Sequence, residues 1–209
     1  MIRHRVRIRF TKEGDLRWLG HRELARAWDR VLRRAGVNVR MSQGFHPRPR
    51  VNFPSALAVG VAGLDEVVEL DLTDDREPMA LAARIAPHCP DGLNLRSVEA
   101  APSEGRAAQV ARMTFECPVE ERLWREVAER IERVMASESL RVDRGPDRAA
   151  VDIRPWIEDL TLREGGLRMR IRATREGSAR PREVLSALGL DRLEEEGRFL
   201  TRTQVELES

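Results

Sequence analysis

Residues 2–10 alternate strictly between two kinds of side chain, and this pattern restricts the fold more than any other feature of the chain. One face carries Ile2, His4, Val6, Ile8 and Phe10, and the other carries Arg3, Arg5, Arg7 and Arg9. Because successive side chains of a strand point to opposite faces, a period of two over this length predicts a β-strand. The strand has one face to bury and one strongly cationic face.

The period changes over residues 21–35, where apolar residues recur every three or four positions. This spacing predicts an amphipathic helix, and Gly36 is a suitable residue to end it. Further helices are predicted at about 77–86, 120–136 and 181–188. Strands or extended segments are predicted near 51–60, 67–72, 93–98, 110–119, 139–143, 150–154, 160–162, 167–171 and 199–207.

Each half of the chain therefore has the order strand, helix, strands, helix, strand. That order is typical of the split βαβ or ferredoxin-like arrangement, in which helices cover one face of a small antiparallel sheet. We predict an α+β protein with two ferredoxin-like domains, a basic one over 1–100 and one with extra strands over 107–209. The small and polar stretch 101–106 is the predicted linker.

Positive charge is concentrated in the first 60 residues. They hold 14 Lys and Arg against 4 acidic residues, whereas the rest of the chain holds 23 against 31, within a net charge of +2. A segment of this kind attracts a polyanion or an acidic partner. Lys12 is the only lysine among the 37 basic residues. Arginine forms paired bonds to phosphate and carboxylate, although a compositional bias of the genome explains its abundance equally well.

The arginines of the first strand are the first candidates for nucleic-acid binding. Four like charges on one face, from Arg3, Arg5, Arg7 and Arg9, repel one another unless they are neutralised. The alternative is a ladder of cross-strand ion pairs, for which Glu69 and Asp71 are candidate partners. Two carboxylates cannot neutralise four guanidinium groups, so we expect a remainder that faces solvent or phosphates.

The first helix carries a second group of candidates. Arg22, Arg26 and Arg30 follow one another at four-residue spacing, where like charges cost a few tenths of a kcal/mol. The helix at 120–136 instead alternates Arg and Glu at this spacing, as expected for a solvated face. Folding does not require the arginine stripe, which makes Arg22 and Arg26 candidates for phosphate contacts.

Two loops complete the candidate set. The loop at 42–50 contains residue types that bind anions, together with an aromatic ring that can stack on a base. Its candidate residues are Ser42, Gln43, Phe45, His46, Arg48 and Arg50. The alternative is an ordinary proline-stiffened connection with a buried Phe45. Arg180, before the last helix, is a weaker candidate because helix N-termini bind anions, and its alternative is a plain helix start.

The sequence contains no recognisable catalytic or metal-binding motif. Its two cysteines and four histidines lack metal-ligand spacing, and a lysine-containing phosphate loop is absent. We therefore expect no catalytic residue, metal or cofactor, although His21 or His46 acting in acid–base chemistry is a minor alternative. No apolar run is long enough to span a bilayer. The basic N-terminal residues lead into no apolar segment like that of a secretory signal, and we expect a cytoplasmic protein that does not contact membranes.

Several of these segments together resemble the radical SAM-linked domain family, a bacterial family without an established activity. The resemblance lies in residues 16–24 (Leu-Arg-Trp-Leu-Gly-His-Arg-Glu-Leu), 32–36, 42–49 (Ser-Gln-Gly-Phe-His-Pro-Arg-Pro), 52–60, 152–155 and 177–181. Gly20 departs from the pattern, which has serine at this position. The resemblance implies association with a radical SAM enzyme, here as a separate chain because iron–sulfur cysteines are absent. Relatives often lie beside genes for RNA processing and ribosomal proteins, which implies an RNA substrate.

These observations lead to a functional prediction. The chain is predicted to be a non-catalytic RNA-binding accessory module that presents structured RNA, tRNA or rRNA, to a radical SAM modifying enzyme. The alternative is a protein–protein adaptor that docks an acidic partner without touching RNA.

Overall fold

The structure, a computed structural model, describes residues 4–43, 45, 47–102, 107–146 and 149–208. These residues form an α+β protein with antiparallel strand pairing, as predicted. The chain divides into two compact units, Met1–Gln109 and Val110–Leu207. Most of the predicted linker, 103–106, lies outside the described residues.

The first unit is built around strand β1. Its elements are β1 (His4–Lys12), α1 (His21–Arg34), β2 (Val51–Asn52), β3 (Ala62–Leu72), α2 (Pro78–Ile85) and β4 (Leu95–Ala101). Strand β1 pairs with β3 on one side and β4 on the other, and β2 pairs with β3. The predicted extended segment at 51–60 is a strand only over β2, because Pro54 cannot donate a ladder hydrogen bond.

Both helices of this unit pack on the same face of its sheet. The core contains alternate residues of β1 and β3 together with apolar residues of α1 and α2. At its centre Phe10 and Trp28 are fully buried and meet edge to face, with ring centroids 5.1 Å apart. Because strand residues alternate between faces, the arginines of β1 lie on the opposite face.

The second unit is built around strand β5. Its elements are β5 (Val110–Cys117), α3 (Glu121–Ala136), β6 (Arg141–Val142), β7 (Val151–Asp152), β8 (Ile157–Arg163), β9 (Gly166–Thr174), β10 (Gly177–Ser178), α4 (Pro181–Ala187) and β11 (Thr201–Leu207). Strand β5 pairs with β9 and β11, and β8 pairs with β9. The β8–β9 hairpin turns at Glu164 and Gly165. The next residue, Gly166, must be glycine because a Cβ would lie 2.2 Å from the Cys117 carbonyl oxygen. No helix among the described residues is long and apolar enough to cross a membrane.

Candidate nucleic-acid interface

The arginines of β1 form ion pairs on the sheet face opposite the helices. Arg5 Nε lies 3.0 Å from Asp71 Oδ1, and Arg7 Nη2 lies 3.0 Å from Glu69 Oε1. The register of β1 on β3 places Arg5 opposite Asp71 and Arg7 opposite Glu69. The ion ladder that the sequence left open as the alternative is therefore present.

Two further carboxylates extend this ladder. Arg9 pairs with Asp65, and Glu99 Oε1 lies 3.5 Å from Arg7 Nη1. Neither carboxylate was identified from the sequence, because β3 begins earlier and β4 ends later than the alternation pattern predicted. The additional partners compensate most of the charge that Glu69 and Asp71 alone leave unbalanced.

The ladder is partly enclosed by the chain. The Glu69 side chain is only 3% exposed, and its Oε2 accepts a hydrogen bond from the Ala108 backbone N–H at 3.0 Å. The Arg5 side chain is 9% exposed. Because carboxylates hold these guanidinium groups, other arginines of the chain are better candidates for phosphate binding. Arg3 lies outside the described residues.

Helix α1 presents a row of exposed arginines, which we call the α1 arginine row: Arg22, Arg26, Arg30 and Arg34. None of the four forms an ion pair or a side-chain hydrogen bond with another residue that the structure describes. The four-residue spacing separates neighbouring Cα atoms by about 6 Å along the helix axis, so the row is about 18 Å long. Arg33, beside the row, instead pairs with Asp29 at 2.7 Å.

The start of α1 is held by two sets of hydrogen bonds. The backbone N–H of Gly20, the N-cap residue, donates to Glu23 Oε2 at 2.7 Å. Lys12, which is 1% exposed, donates from Nζ to the carbonyl oxygens of Leu19 at 2.7 Å and Arg17 at 3.2 Å. Gly20 stands where the resembled pattern has serine, so its side chain contributes no cap. The buried lysine fixes the chain that leads into the arginine row.

The loop after α1 is an excursion from the edge of the sheet. Val39 lies opposite Leu72 of β3, and Val51 lies opposite Leu70. The chain thus leaves β3 and returns only two residues further along that strand. We call the intervening residues the 41–49 loop, and none of its described residues pairs with β3.

The base of the 41–49 loop is closed by short-range pairing. Met41 and Pro49 form an isolated bridge. The Ser42 N–H donates to the Arg48 carbonyl oxygen at 2.7 Å, and the Arg48 N–H donates to Ser42 Oγ at 2.9 Å. The hydroxyl of Ser42 therefore serves loop closure, and this closure limits the positions that the loop tip can take.

The described residues at the tip of this loop are exposed. Phe45 has a relative exposure of 102%, so the alternative of a buried Phe45 is wrong. Gln43 and Arg48 are also exposed, whereas Arg50 Nη1 lies 3.7 Å from Asp71 Oδ2 and joins the ion ladder. His46 lies outside the described residues, as does Gly44.

The α1 arginine row and the 41–49 loop both lie within residues 5–181, which match the model of a family described as an uncharacterized protein conserved in bacteria (DUF2344). The chain belongs to this family. No curated protein matches it. The association with radical SAM enzymes that the sequence resemblance implied is not part of the description of the DUF2344 family.

Arg180 lies near the end of the DUF2344 match and precedes α4. The carboxylate of Glu183 occupies this helix start, because its Oε2 accepts a hydrogen bond from the Arg180 N–H at 2.8 Å. Arg144 Nε donates to the other oxygen of Glu183, also at 2.8 Å. The protein thus supplies its own anion here, which favours the alternative of a plain helix start. The Arg180 side chain is 59% exposed.

The Asp152–Pro155 run, also within the DUF2344 match, has a structural role. Asp152 Oδ1 accepts hydrogen bonds from the backbone N–H groups of Leu140 at 2.8 Å and Arg154 at 3.0 Å. These bonds lower the pKa of Asp152. The guanidinium of Arg154 donates to the carbonyl oxygens of Ile157 and Met135, both at 2.8 Å. The run therefore ties together segments of the second unit.

A cluster of arginines in the second unit is neutralised in the same way. Glu158 accepts hydrogen bonds from Arg112 at 2.9 Å and from Arg172 at 2.8 Å. Burial alone would raise the pKa of Glu158, but the hydrogen bonds from Arg172 and Arg112 lower it. Sequence patterns did not reveal this cluster because its members come from β5, β8 and β9 and meet only through strand pairing. The arginines of the α1 row differ from those of this cluster, because they lack such partners among the described residues.

Nucleophilic and metal chemistry has little support in the described part of the chain. No group of three or more His, Cys, Asp or Glu residues there could hold a metal ion. Burial raises the pKa of the Cys117 thiol from its usual 9 to about 12. Burial also raises the pKa of the Cys89 thiol, which is only partly buried. Neither cysteine has the lowered pKa of an activated nucleophile.

We expect Cys117 to resist alkylation by iodoacetamide at about pH 8 in the folded protein and to react fully in denaturant. The raised pKa also means that the neutral thiol stabilises the folded state below pH 9, and that this contribution is lost as the pH rises towards 12. Peptide mass spectrometry after timed alkylation measures the reaction, with Cys89 as the internal comparison. Modification of native Cys117 at the rate of an exposed thiol would contradict the expectation.

Proposed function

We propose that this protein is a non-catalytic RNA-binding accessory module in the cytoplasm, which presents structured RNA, tRNA or rRNA, to a radical SAM modifying enzyme. The observation that carries the proposal is the α1 arginine row, with four exposed guanidinium groups on one rigid helix and no acidic partner among the described residues. In this proposal the partner enzyme supplies the cofactor and the chemistry, and this chain supplies RNA contacts.

The contrast between α1 and α3 supports this interpretation. On α3, Arg130 Nη2 lies 2.5 Å from Glu126 Oε1, and Arg125 Nε lies 3.4 Å from Glu129 Oε1. Such pairs at four-residue spacing stabilise a helix slightly, whereas like charges at that spacing destabilise it. The row on α1 therefore opposes helix stability, and bound phosphates would relieve the repulsion by replacing condensed counterions.

The exposed Phe45 favours RNA over an acidic protein surface. An acidic partner needs only the cations, whereas an exposed aromatic ring in the same loop as Arg48 suits stacking on a base. Arginine also binds phosphate through two parallel hydrogen bonds. The adaptor that docks an acidic partner without RNA remains the second candidate, because charge complementarity alone would satisfy the row.

We further propose that each unit follows the ferredoxin-like plan. The order β4-β1-β3-β2 in the first unit supports this, as does the order β11-β5-β9-β8 in the second, each with antiparallel neighbours. The split βαβ arrangement places the helices on one sheet face, and the α1 row would then face away from the sheet.

Binding of purified protein to total tRNA and to ribosomal RNA fragments tests the proposal. The α1 row and Arg48 offer about five phosphate contacts, so we expect micromolar or tighter binding at about 50 mM salt and a loss of roughly 10²- to 10³-fold at about 200 mM. Fluorescence anisotropy across at least four salt concentrations gives the slope. Absence of binding at the lower salt would overturn the RNA proposal and favour the adaptor. Pull-down of an iron–sulfur radical SAM enzyme, with and without ribonuclease, then separates direct contact from bridging by RNA.

A further inference from the structure

We infer that Phe45 is a base-stacking side chain and that the RNA ligand carries an unpaired nucleotide in addition to the phosphates held by α1. This inference rests on the proposed function and specifies its substrate class, a hairpin loop or bulge as opposed to an uninterrupted duplex.

Phe45 differs from the other described phenylalanines in its exposure to solvent. Among the phenylalanines that the structure describes, Phe10 and Phe115 are buried, Phe53 and Phe199 are partly buried, and Phe45 alone is fully exposed. Exposing a large apolar ring is unfavourable in water. The ring is nevertheless presented at the tip of a loop whose base is closed, where it is available to a partner.

The 41–49 loop is closed at its base. Two hydrogen bonds join Ser42 and Arg48, one from the Ser42 N–H to the Arg48 carbonyl oxygen and one from the Arg48 N–H to Ser42 Oγ. Together with the Met41–Pro49 bridge, they connect the two sides of the loop at its base. A closed base lowers the conformational entropy that Phe45 loses on contact. Stacking then needs little further ordering of the chain.

The solvent face of helix α1 carries mainly arginines. Trp28 of this helix is completely buried in the core, and the ring of His21 packs edge to face on Phe53 with centroids 5.4 Å apart, so the solvent face of the helix offers mainly guanidinium groups. Arginines that contact phosphates position a nucleic-acid backbone, and such contacts carry no base information themselves. Of the exposed aromatic side chains in this unit, Trp18 is 51% exposed and Phe45 is 102% exposed, so we assign base recognition to the 41–49 loop, which also carries the exposed Gln43 and Arg48.

The structure of RNA determines which bases an aromatic side chain can stack on. Bases inside an RNA duplex are stacked on each other, and the deep major groove does not admit side chains, so aromatic residues act on loops, bulges and ends. A ligand that satisfies both the row and Phe45 must offer a run of phosphates and at least one base free to leave its stack. An uninterrupted duplex satisfies the row alone.

The test compares two RNAs that share one stem, a hairpin with an unpaired loop and a fully paired blunt duplex of equal phosphate number. We expect Phe45→Ala to weaken hairpin binding roughly 5- to 150-fold, the range for stacking of a base on an aromatic ring. Duplex binding should change less than about twofold, and the salt slope should not change because no phosphate contact is lost. Phe45→Trp should retain hairpin binding.

Met79→Ala is the matched control, since Met79 is an apolar side chain on α2 with a relative exposure of 79%. It should affect neither RNA. If the wild-type protein binds neither RNA at about 50 mM salt, the proposed function fails and this inference fails with it. If both RNAs bind but Phe45→Ala has no effect, or weakens both equally, the inference alone is overturned and the RNA-binding function stands.

Discussion

Replacing both Arg22 and Arg26 with glutamate is expected to weaken tRNA binding about 100-fold or more at about 100 mM salt. Each lost phosphate contact removes close to one decade of affinity at this salt, and each new carboxylate repels the remaining phosphates. The slope of log K against log salt should decrease by about 2, since one contact contributes about 1. Anisotropy titrations of the variant and the wild type across a salt series measure both quantities.

The same double variant should fold normally. Both side chains are exposed and have no partner among the described residues, and surface substitutions of this kind change stability by about 0.5 kcal/mol or less. Glutamate at position 26 also removes the repulsion from Arg30, and glutamate at position 22 suits the positive end of the helix dipole. The melting temperature should therefore change by less than about 2 °C.

Arg122→Glu combined with Arg125→Glu is the matched control. Both residues are exposed on α3, and the double reversal changes the net charge by the same amount. We expect it to weaken tRNA binding less than about tenfold, through long-range repulsion only. Equal losses for the two double variants would show that net charge decides binding. A large loss of melting temperature in Arg22→Glu/Arg26→Glu would show that the row is structural.

Glu69→Ala is expected to have the largest effect on stability, a loss of about 3 kcal/mol. Removing one partner of an enclosed ion pair leaves the other charge uncompensated, and here it also removes the acceptor of the Ala108 N–H. Because Arg7 keeps its contact with Glu99, the expected loss in free energy of unfolding lies at the lower end of the range of about 3–5 kcal/mol for a broken buried ion pair. For a chain of this size the melting temperature should fall by about 6–12 °C, as measured by circular dichroism or calorimetry.

Glu99→Ala is the control for this prediction, because Glu99 is 53% exposed and contributes to the same guanidinium. Its loss should cost about 1 kcal/mol or less. A Glu69→Ala melting temperature within about 2 °C of wild type would contradict the structural role of the ladder. RNA binding by Glu69→Ala shows whether the β1 arginines serve the ion ladder alone or also contact phosphates. If Arg7 contacted phosphates, its release from Glu69 would strengthen RNA binding at temperatures where the variant is folded. We expect no such gain.

The sequence predicted the elements more reliably than their ends. The alternation around Val6 and the helical spacing around Trp28 are local patterns, and both correspond to β1 and α1. The ends of β3 and β4 depend on pairing with β1, which is distant in sequence. For that reason Asp65 and Glu99 were missed as ladder partners, although Glu69 and Asp71 were identified.

The candidate site was likewise predicted only in part, because local patterns in the sequence do not specify contacts between distant segments. The repeated spacing of Arg22, Arg26 and Arg30 is visible in the sequence, and their exposure follows from the apolar stripe on the other side of the helix. Composition could not decide whether Phe45 is buried, because this depends on how Ser42 and Arg48 close the loop. The pairing of the β1 arginines likewise depends on strand register, which local patterns do not specify.

Lys12 has a practical consequence for studying this protein. Because the single lysine of the chain is 1% exposed and donates to two carbonyl oxygens, reagents that acylate side-chain amines have little to modify on the folded surface. Amine-to-amine crosslinking is therefore poorly suited to mapping its contacts. Dicarbonyl reagents that modify guanidinium groups are better suited, since they should react fastest with unpaired arginines and leave those in the ion ladder protected. Loss of that reactivity on adding a ligand would locate the bound surface residue by residue.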